Sequence, residues 1–194
     1  MLLSWLTTTL GYFGADRCIF DMDICIKAVG EALAEDFGHV IYDGWGETYR
    51  GLMPDEILDG RSLERWVDMA RKYPDGKRVA YIDGAAAGVI AFLPQTREFA
   101  SFRDGGEIAA LYVLKRFQRH GVGKALLERA LKELGGGRVT LFVLKGNENA
   151  VGFYRAMGFG LTGHEISDGG LTELEMVRNS DITQIDEDEK RSLS

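Results

Sequence analysis

From residue 78 onward the chain alternates short apolar runs with turn residues, and the alternation predicts a sheet. Residues 78–82 and 85–93 are rich in Val, Ile, Ala and Phe and flank Asp83-Gly84, a dipeptide suited to the two positive φ angles of a tight hairpin. Residues 107–114 predict a further strand. Residues 121–134 predict a helix, with Val122, Ala125, Leu126, Ala130 and Leu134 on its inner side. Gly135-Gly136-Gly137 ends it. Residues 139–144 are apolar on both faces, as a buried parallel strand requires. Strand, helix and strand in that order make a right-handed βαβ unit. A second helix follows, with Gly158 placed as its left-handed cap. Two closing strands, residues 161–166 and 171–178, then face each other across Asp168-Gly169-Gly170.

The first third is less regular. Residues 24–29 form a short apolar run that predicts the first strand. Residues 31–53 mix helix and turn signals, and Gly38, Gly44 and Gly46 argue against a continuous helix. Pro54 suits the first position of a new helix. Residues 62–73 predict another, with Leu63, Trp66, Met69 and Ala70 on one face. These elements give an α/β (α+β) fold with a mixed central sheet of about seven strands and about four flanking helices.

Composition narrows the setting. The 194 residues are 45% hydrophobic and 27% charged, ordinary for one globular domain. The net charge is -7, of which the tail from residue 180 carries -3. Mild acidity disfavours nucleic acid and suits a cationic partner such as an amine, although it also serves solubility. Cys18 and Cys25 are too few for a disulfide framework and lack metal spacing, so a reducing cytoplasm is expected and no metal. No apolar run approaches the length that crosses a bilayer, and the apolar start, Met1 to Leu6, lacks the basic flank of a signal peptide. The expected organisation is an extension over 1–18, a domain over 19–179 and a mobile acidic tail over 180–194.

Within this acidic chain one segment reverses sign. Lys115, Arg116, Arg119 and Lys124 cluster where the strand over 107–114 turns through Gly121 and Gly123 into a helix. Backbone N–H groups and the helix dipole converge there, which suits a phosphate. A dinucleotide fingerprint would need a third glycine where Leu126 stands. A Walker loop would need Ser or Thr in place of Ala125 and four residues between the glycines.

The segment Gln118-Arg119-His120-Gly121-Val122-Gly123 instead resembles the Gln/Arg-x-x-Gly-x-Gly/Ala signature of the Gcn5-related N-acetyltransferase (GNAT) family. Asn147, Ala150, Tyr154, Gly158 and Phe159 match that family's Asn-x-x-Ala-x-x-x-Tyr-x-x-x-Gly-Phe helix, in the right order downstream. Trp45, Tyr49, Gly51 and Pro54 resemble the first helix and turn of many small acetyltransferases. The resemblance implies the acyl-CoA N-acyltransferase fold, with acetyl-CoA lodged between two splayed parallel strands.

Carried over by position, the backbone at Leu111 and Val113 would pair with the pantetheine arm. The N–H groups of Arg119, Gly121, Val122, Gly123 and Lys124 would hold the pyrophosphate, with Gln118 closing the turn. Asn147 would bind the pantetheine, or serve as a helix cap, or do both. Tyr154 would protonate the departing thiolate, since a phenol (pKa about 10) lies near a thiol (about 8.5); its alternative is an inner-face aromatic with a satisfied hydroxyl. Glu107 would be the general base if it shares the side of Ala109, Leu111 and Val113, and otherwise a solvated strand end. Trp45 and Tyr49 mark either the acceptor pocket or core. The implied activity is direct acetyl transfer from acetyl-CoA to a primary amine of a small molecule or peptide, with no metal, membrane or nucleic-acid partner and a homodimer left open. A catalytically silent acetyl-CoA-binding module is the alternative.

Overall fold

The computed structural model describes residues 23–179. The extension over 1–18, with Cys18, and the tail over 180–194 lie outside the described residues. The strands are β1 (Ile24–Ala28), β2 (Lys77–Ile82), β3 (Ala85–Leu93), β4 (Gly106–Val113), β5 (Val139–Leu144), β6 (Gly160–Asp168) and β7 (Leu171–Arg178). They form one sheet in the order β1-β2-β3-β4-β5-β7-β6. Every neighbouring pair is antiparallel except β4 and β5. The helices are α1 (Ala34–Tyr49), α2 (Asp55–Asp59), α3 (Leu63–Lys72), α4 (Val122–Glu133) and α5 (Glu148–Ala156). The short α2 is the helix expected at Pro54, which stands one position earlier than expected, as its cap; counting it makes five helices among the described residues. Among the described residues no helix is long and apolar enough to cross a membrane.

Two apolar layers hold the sheet. On one face Val122, Leu126, Leu127 and Ala130 of α4, with Val151 and Tyr154 of α5, pack on Ile90, Ile108, Leu141 and Met176. On the other, Phe37, Val40 and Ile41 of α1 and Val67 and Ala70 of α3 pack on Val79 and Val89. Each fully buried aliphatic contributes roughly 1.5–3 kcal/mol. On α4 the deep position is Leu127, whereas Ala125 is only partly covered. On α3, Met69 does not share the buried face: it is 41% exposed, and Val67 takes that place beside Ala70.

The expected break in the first helix does not occur; α1 runs sixteen residues through all three glycines. A Cβ at Gly38 would lie 2.5 Å from Val67 Cγ2, and one at Gly44 would lie 2.9 Å from Tyr112 Cβ. Two of the glycines therefore admit close approach to α3 and β4. The gain in packing outweighs a propensity cost of about 1 kcal/mol for each.

The predicted turns are present. Asp83 and Gly84 have φ of 49° and 79°, and Gly169 and Gly170 have 55° and 81°, as two-residue hairpin turns demand. Gly158 ends α5 at φ 86°.

The parallel pair positions the site. β4 and β5 are bonded only at Gly106–Val139, Glu107–Thr140 and Ile108–Leu141. Beyond Ile108 they part, and β5 continues paired to β7 on its other edge. The β3–β4 register slips at the same place: Ala91 pairs with Ala110, but Phe92 pairs with Ile108, so Ala109 is extra. A bulge bends its strand and increases its twist, which turns the end of β4 away from β5.

Candidate active site

The splay opens a cavity of about 1380 Å³ that runs from the start of α4 to the aromatic end of α1. Its two ends are built differently.

At the α4 end the lining is mostly backbone. Gln118 donates from Nε2 to the carbonyl of Val113 at 3.0 Å and so closes the turn out of β4. Arg119 has φ 66° and Gly121 φ 82°. Non-glycine residues rarely hold positive φ, so Arg119 carries backbone strain in the middle of the turn. Gly121 caps α4 without a side-chain hydrogen bond, and the first intrahelical bond is Ala125 N–H to the Gly121 carbonyl. The N–H groups of Val122, Gly123 and Lys124 consequently have no helical acceptor. What glycine supplies at 121 is conformation, because a Cβ there would meet nothing closer than Ile24 Cδ1 at 3.8 Å. Glu47 reaches across from α1 and accepts from Lys115 N–H at 2.7 Å, tying α1 to the turn.

Leu111 and Val113 are half-buried on the α4 and α5 face, and their strand has no β5 partner at that level. Asn147 caps α5 with Oδ1, accepting from Ala150 N–H at 3.1 Å. It is 92% buried by area, with 8% exposed, and borders the cavity. The cap uses one oxygen and leaves its amide nitrogen available.

Tyr154 is 8% exposed and its ring packs edge-on to Phe153 and Phe159. Its hydroxyl has no hydrogen-bond partner among the described residues, is not sealed from the cavity, and so is not parked on a backbone group. Burial pushes the phenol upward, and the nearby Tyr49 adds to the effect.

At the other end side chains dominate. Trp45, Tyr49 and Tyr112 form an edge-on series, with centroids 5.6 Å and 6.3 Å apart, and Trp66 stands 6.0 Å from Trp45. Tyr112 Oη lies 3.5 Å from Tyr49 Oη, a distance at the limit of hydrogen bonding. Burial raises both phenols. The α1 aromatics thus line the cavity as well as packing on one another.

Glu107 departs from its expected place. The extra residue Ala109 reverses the alternation, so Glu107 shares the face of Ala110 and Tyr112 instead of that of Leu111 and Val113. It is no solvated strand end either, being 0% exposed. Its Oε2 accepts from Arg97 N–H at 2.9 Å and its Oε1 from Arg97 Nε at 2.6 Å, and the guanidinium completes an ion pair. Arg97 lies over the rings of Phe99 and Phe142. The loop between β3 and β4 is held over the sheet in this way and forms a wall of the cavity.

Two cavity residues escaped the sequence reading. Arg97 sits in an irregular loop with no periodic signal. Glu173 lies on β7, which reads as the last strand of a terminal hairpin whose charges would be solvated. The sheet instead places β7 between β5 and β6, and Glu173 lines the cavity. Burial raises its carboxyl, Arg97 opposes the rise and Glu107 adds to it. The alternation of Glu173 and Glu175 with Leu174 and Met176 was the one available sign.

The chain matches the acetyltransferase (GNAT) family over residues 38–159, more than half its length. It is 30% identical over 130 residues to a probable N-acetyltransferase of Mycobacterium tuberculosis, spanning 63% of this chain and 71% of that one. It is 35% identical over 79 residues to the L-ornithine N5-acetyltransferase NATA1 of Arabidopsis thaliana, spanning 39% of this chain and 34% of that protein. In fold it resembles the PaiA N-acetyltransferase of Thermoplasma acidophilum, solved in complex with coenzyme A, with a TM-score of 0.63 and 21% identity over 81% of this chain and 99% of that one. A cleft between parting parallel strands, capped by a glycine turn and continuous with these matches in sequence, makes the chain a member of the GNAT acetyltransferase family.

Proposed function

We propose that the protein transfers the acetyl group of acetyl-CoA directly to a primary amine. The observation that carries the reading is the parting of β4 from β5 beside a buried tyrosine whose hydroxyl has no partner among the described residues. A pantetheine arm carries amides, and the unpaired edge of β4 at Leu111 and Val113 offers them a strand to bond. The free N–H groups of Val122, Gly123 and Lys124 and the dipole of α4 suit the pyrophosphate. Arg119, Gly121 and Gln118 shape the turn, and the amide nitrogen of Asn147 is free to donate to the arm. Acetyl-CoA supplies the activated acetyl group; the chain supplies position and protons.

The amine nitrogen attacks the thioester carbonyl, the C–S bond breaks, and the thiolate takes a proton from Tyr154. The nitrogen of the new amide gives up a proton in turn, which restores the phenol. Burial makes Tyr154 a weaker acid than a free phenol, so donation to the thiolate alone runs uphill. Coupling it to the loss of the nitrogen's proton removes that difficulty. No nucleophilic side chain enters the scheme. Trp45 and Tyr49 form the acceptor side, where aromatic faces suit an incoming ammonium. The relative named for ornithine N5-acetylation supports an alkyl amine as the acceptor class.

The test is release of CoA from acetyl-CoA across a panel of amines: alkyl diamines, polyamines, amino acids, aminoglycosides and peptides. Turnover of one class with the acetylated amine as product is the expected result. Acetyl-CoA binding with no amine-dependent release would leave a binding module instead.

A further inference from the structure

Three glutamates share one face of the sheet, and two of them have a complete set of partners. Glu173 and Glu175 alternate along β7 and so point to one side. Glu175 pairs across to Phe142, and Glu107 to Thr140 two residues earlier on the same strand. Glu107 is fully buried and bound by Arg97. Glu175 is fully buried and accepts from Ser101 N–H at 2.8 Å and Thr162 Oγ1 at 2.7 Å. Both therefore pin the β3–β4 loop to the sheet. Glu173 is the exception. It is half-buried, opens on the cavity, and accepts no hydrogen bond and joins no ion pair among the described residues.

A partly desolvated carboxylate without a partner is costly, and it persists where a ligand supplies the partner. The groups facing it are Arg97 from the loop, Glu107 and Tyr112 from β4, Tyr49 from α1 and Asp168 at the rim from β6. Arg97 is close enough to act on Glu173 electrostatically without forming an ion pair with it. Glu107 already neutralises Arg97, so the uncompensated negative charge lies on Glu173, with Asp168 adding to it at the rim. Tyr112 feels both Glu173 and Tyr154, and all three line the same cavity.

We propose that Glu173 is the general base, receiving an alkyl ammonium acceptor and taking one of its protons before attack. The carboxylate accepts the proton, leaving the neutral amine whose lone pair forms the C–N bond, and later releases that proton to water. The assignment rests on the acetyl-transfer reading above. It gives Glu107 a different task, that of holding Arg97 and its loop in place.

The experiment compares the parent with Glu173→Gln, Glu173→Asp and Glu107→Gln, using the best acceptor from the amine panel and recording kcat/KM against pH together with heat protection by acetyl-CoA. Glu173→Gln should lose about 10²–10⁴-fold near neutral pH, and the loss should shrink as pH approaches the amine's own pKa of about 10.4. Acetyl-CoA should protect it as well as the parent, and Glu173→Asp should recover part of the rate. Glu107→Gln should lower the melting temperature and the rate without changing the slope against pH. A Glu173→Gln variant with the parent's rate and profile overturns the inference alone. A parent that turns over no amine overturns the acetyl-transfer reading and this assignment with it.

Discussion

The two ends of the cavity are held by different parts of the chain. The α4 end is shaped by backbone: one positive-φ glycine, one strained arginine, and N–H groups left open by the start of a helix. The aromatic end is shaped by side chains from separate elements, among them α1, α3, β4, β7 and the loop between β3 and β4. Backbone shape is written locally, since a glycine pair at a fixed offset suffices. A side-chain pocket depends on which strands lie next to one another, and no short motif encodes that. One end of the cavity is therefore written in six consecutive residues, and the other end is mostly hidden from the sequence.

The largest effect expected from breaking this arrangement falls between the two ends, at Tyr154. Tyr154→Phe keeps the ring's contacts with Phe153 and Phe159 and removes only the hydroxyl. We predict a fall in kcat of about 10²–10⁴ with acetyl-CoA affinity retained. Steady-state rates with calorimetric titration check both halves, and parent-level turnover across pH would return Tyr154 to a packing role.

Next in size is the backbone end. Gly121→Val forces a β-branched residue into φ 82°, a strain on the order of 1–3 kcal/mol. The turn should shift to relieve it, and acetyl-CoA affinity should drop roughly tenfold to a hundredfold, which calorimetry reads directly. Unchanged affinity would remove this turn from the donor site.

The legibility of the fold follows the same division. Both hairpin turns, the βαβ unit and the Gly158 cap were readable because each depends on neighbours in sequence. The continuity of α1 was not, because Gly38 and Gly44 answer to Val67 and Tyr112, residues distant in sequence. The side of the sheet that Glu107 occupies was hidden by one extra residue, Ala109, which carries no sequence mark. The placement of Tyr154 and Asn147 beside the cavity was legible because the one lies on α5 and the other caps it, at motif spacing. That of Glu173 and Arg97 was not, because it comes from the position of β7 in the sheet and from an irregular loop.

Gly38→Ala sharpens this point. The added methyl meets Val67 at 2.5 Å, so α1 and α3 must separate. The overpacking cost of about 1–3 kcal/mol should exceed the gain in helix propensity and lower the melting temperature. A stabilised variant would show that the glycine is there for some other reason.

The smallest expected effect concerns the loop wall. Burial pushes the Glu175 carboxyl up, but hydrogen bonds from Thr162 and Ser101 outweigh it and hold the group below its usual value. Its contribution is then fully present above the ordinary carboxylate range and is lost as pH falls through the depressed folded value. Hydrogen exchange at Ser101 N–H, corrected for intrinsic rates, should show protection fading in acid, and Glu175→Gln should reduce it at neutral pH. Equal protection in both proteins would mean that other contacts hold the loop.

The most direct test of the whole account follows the acetyl group through a single turnover. The protein is mixed with labelled acetyl-CoA, with and without an accepted amine, and the quenched mixture is analysed by intact-protein and small-molecule mass spectrometry. Direct transfer predicts no labelled protein at any time, no CoA release without the amine, and equal amounts of CoA and acetylated amine with it. An acetyl adduct on the chain that forms before the product and decays into it would contradict the account.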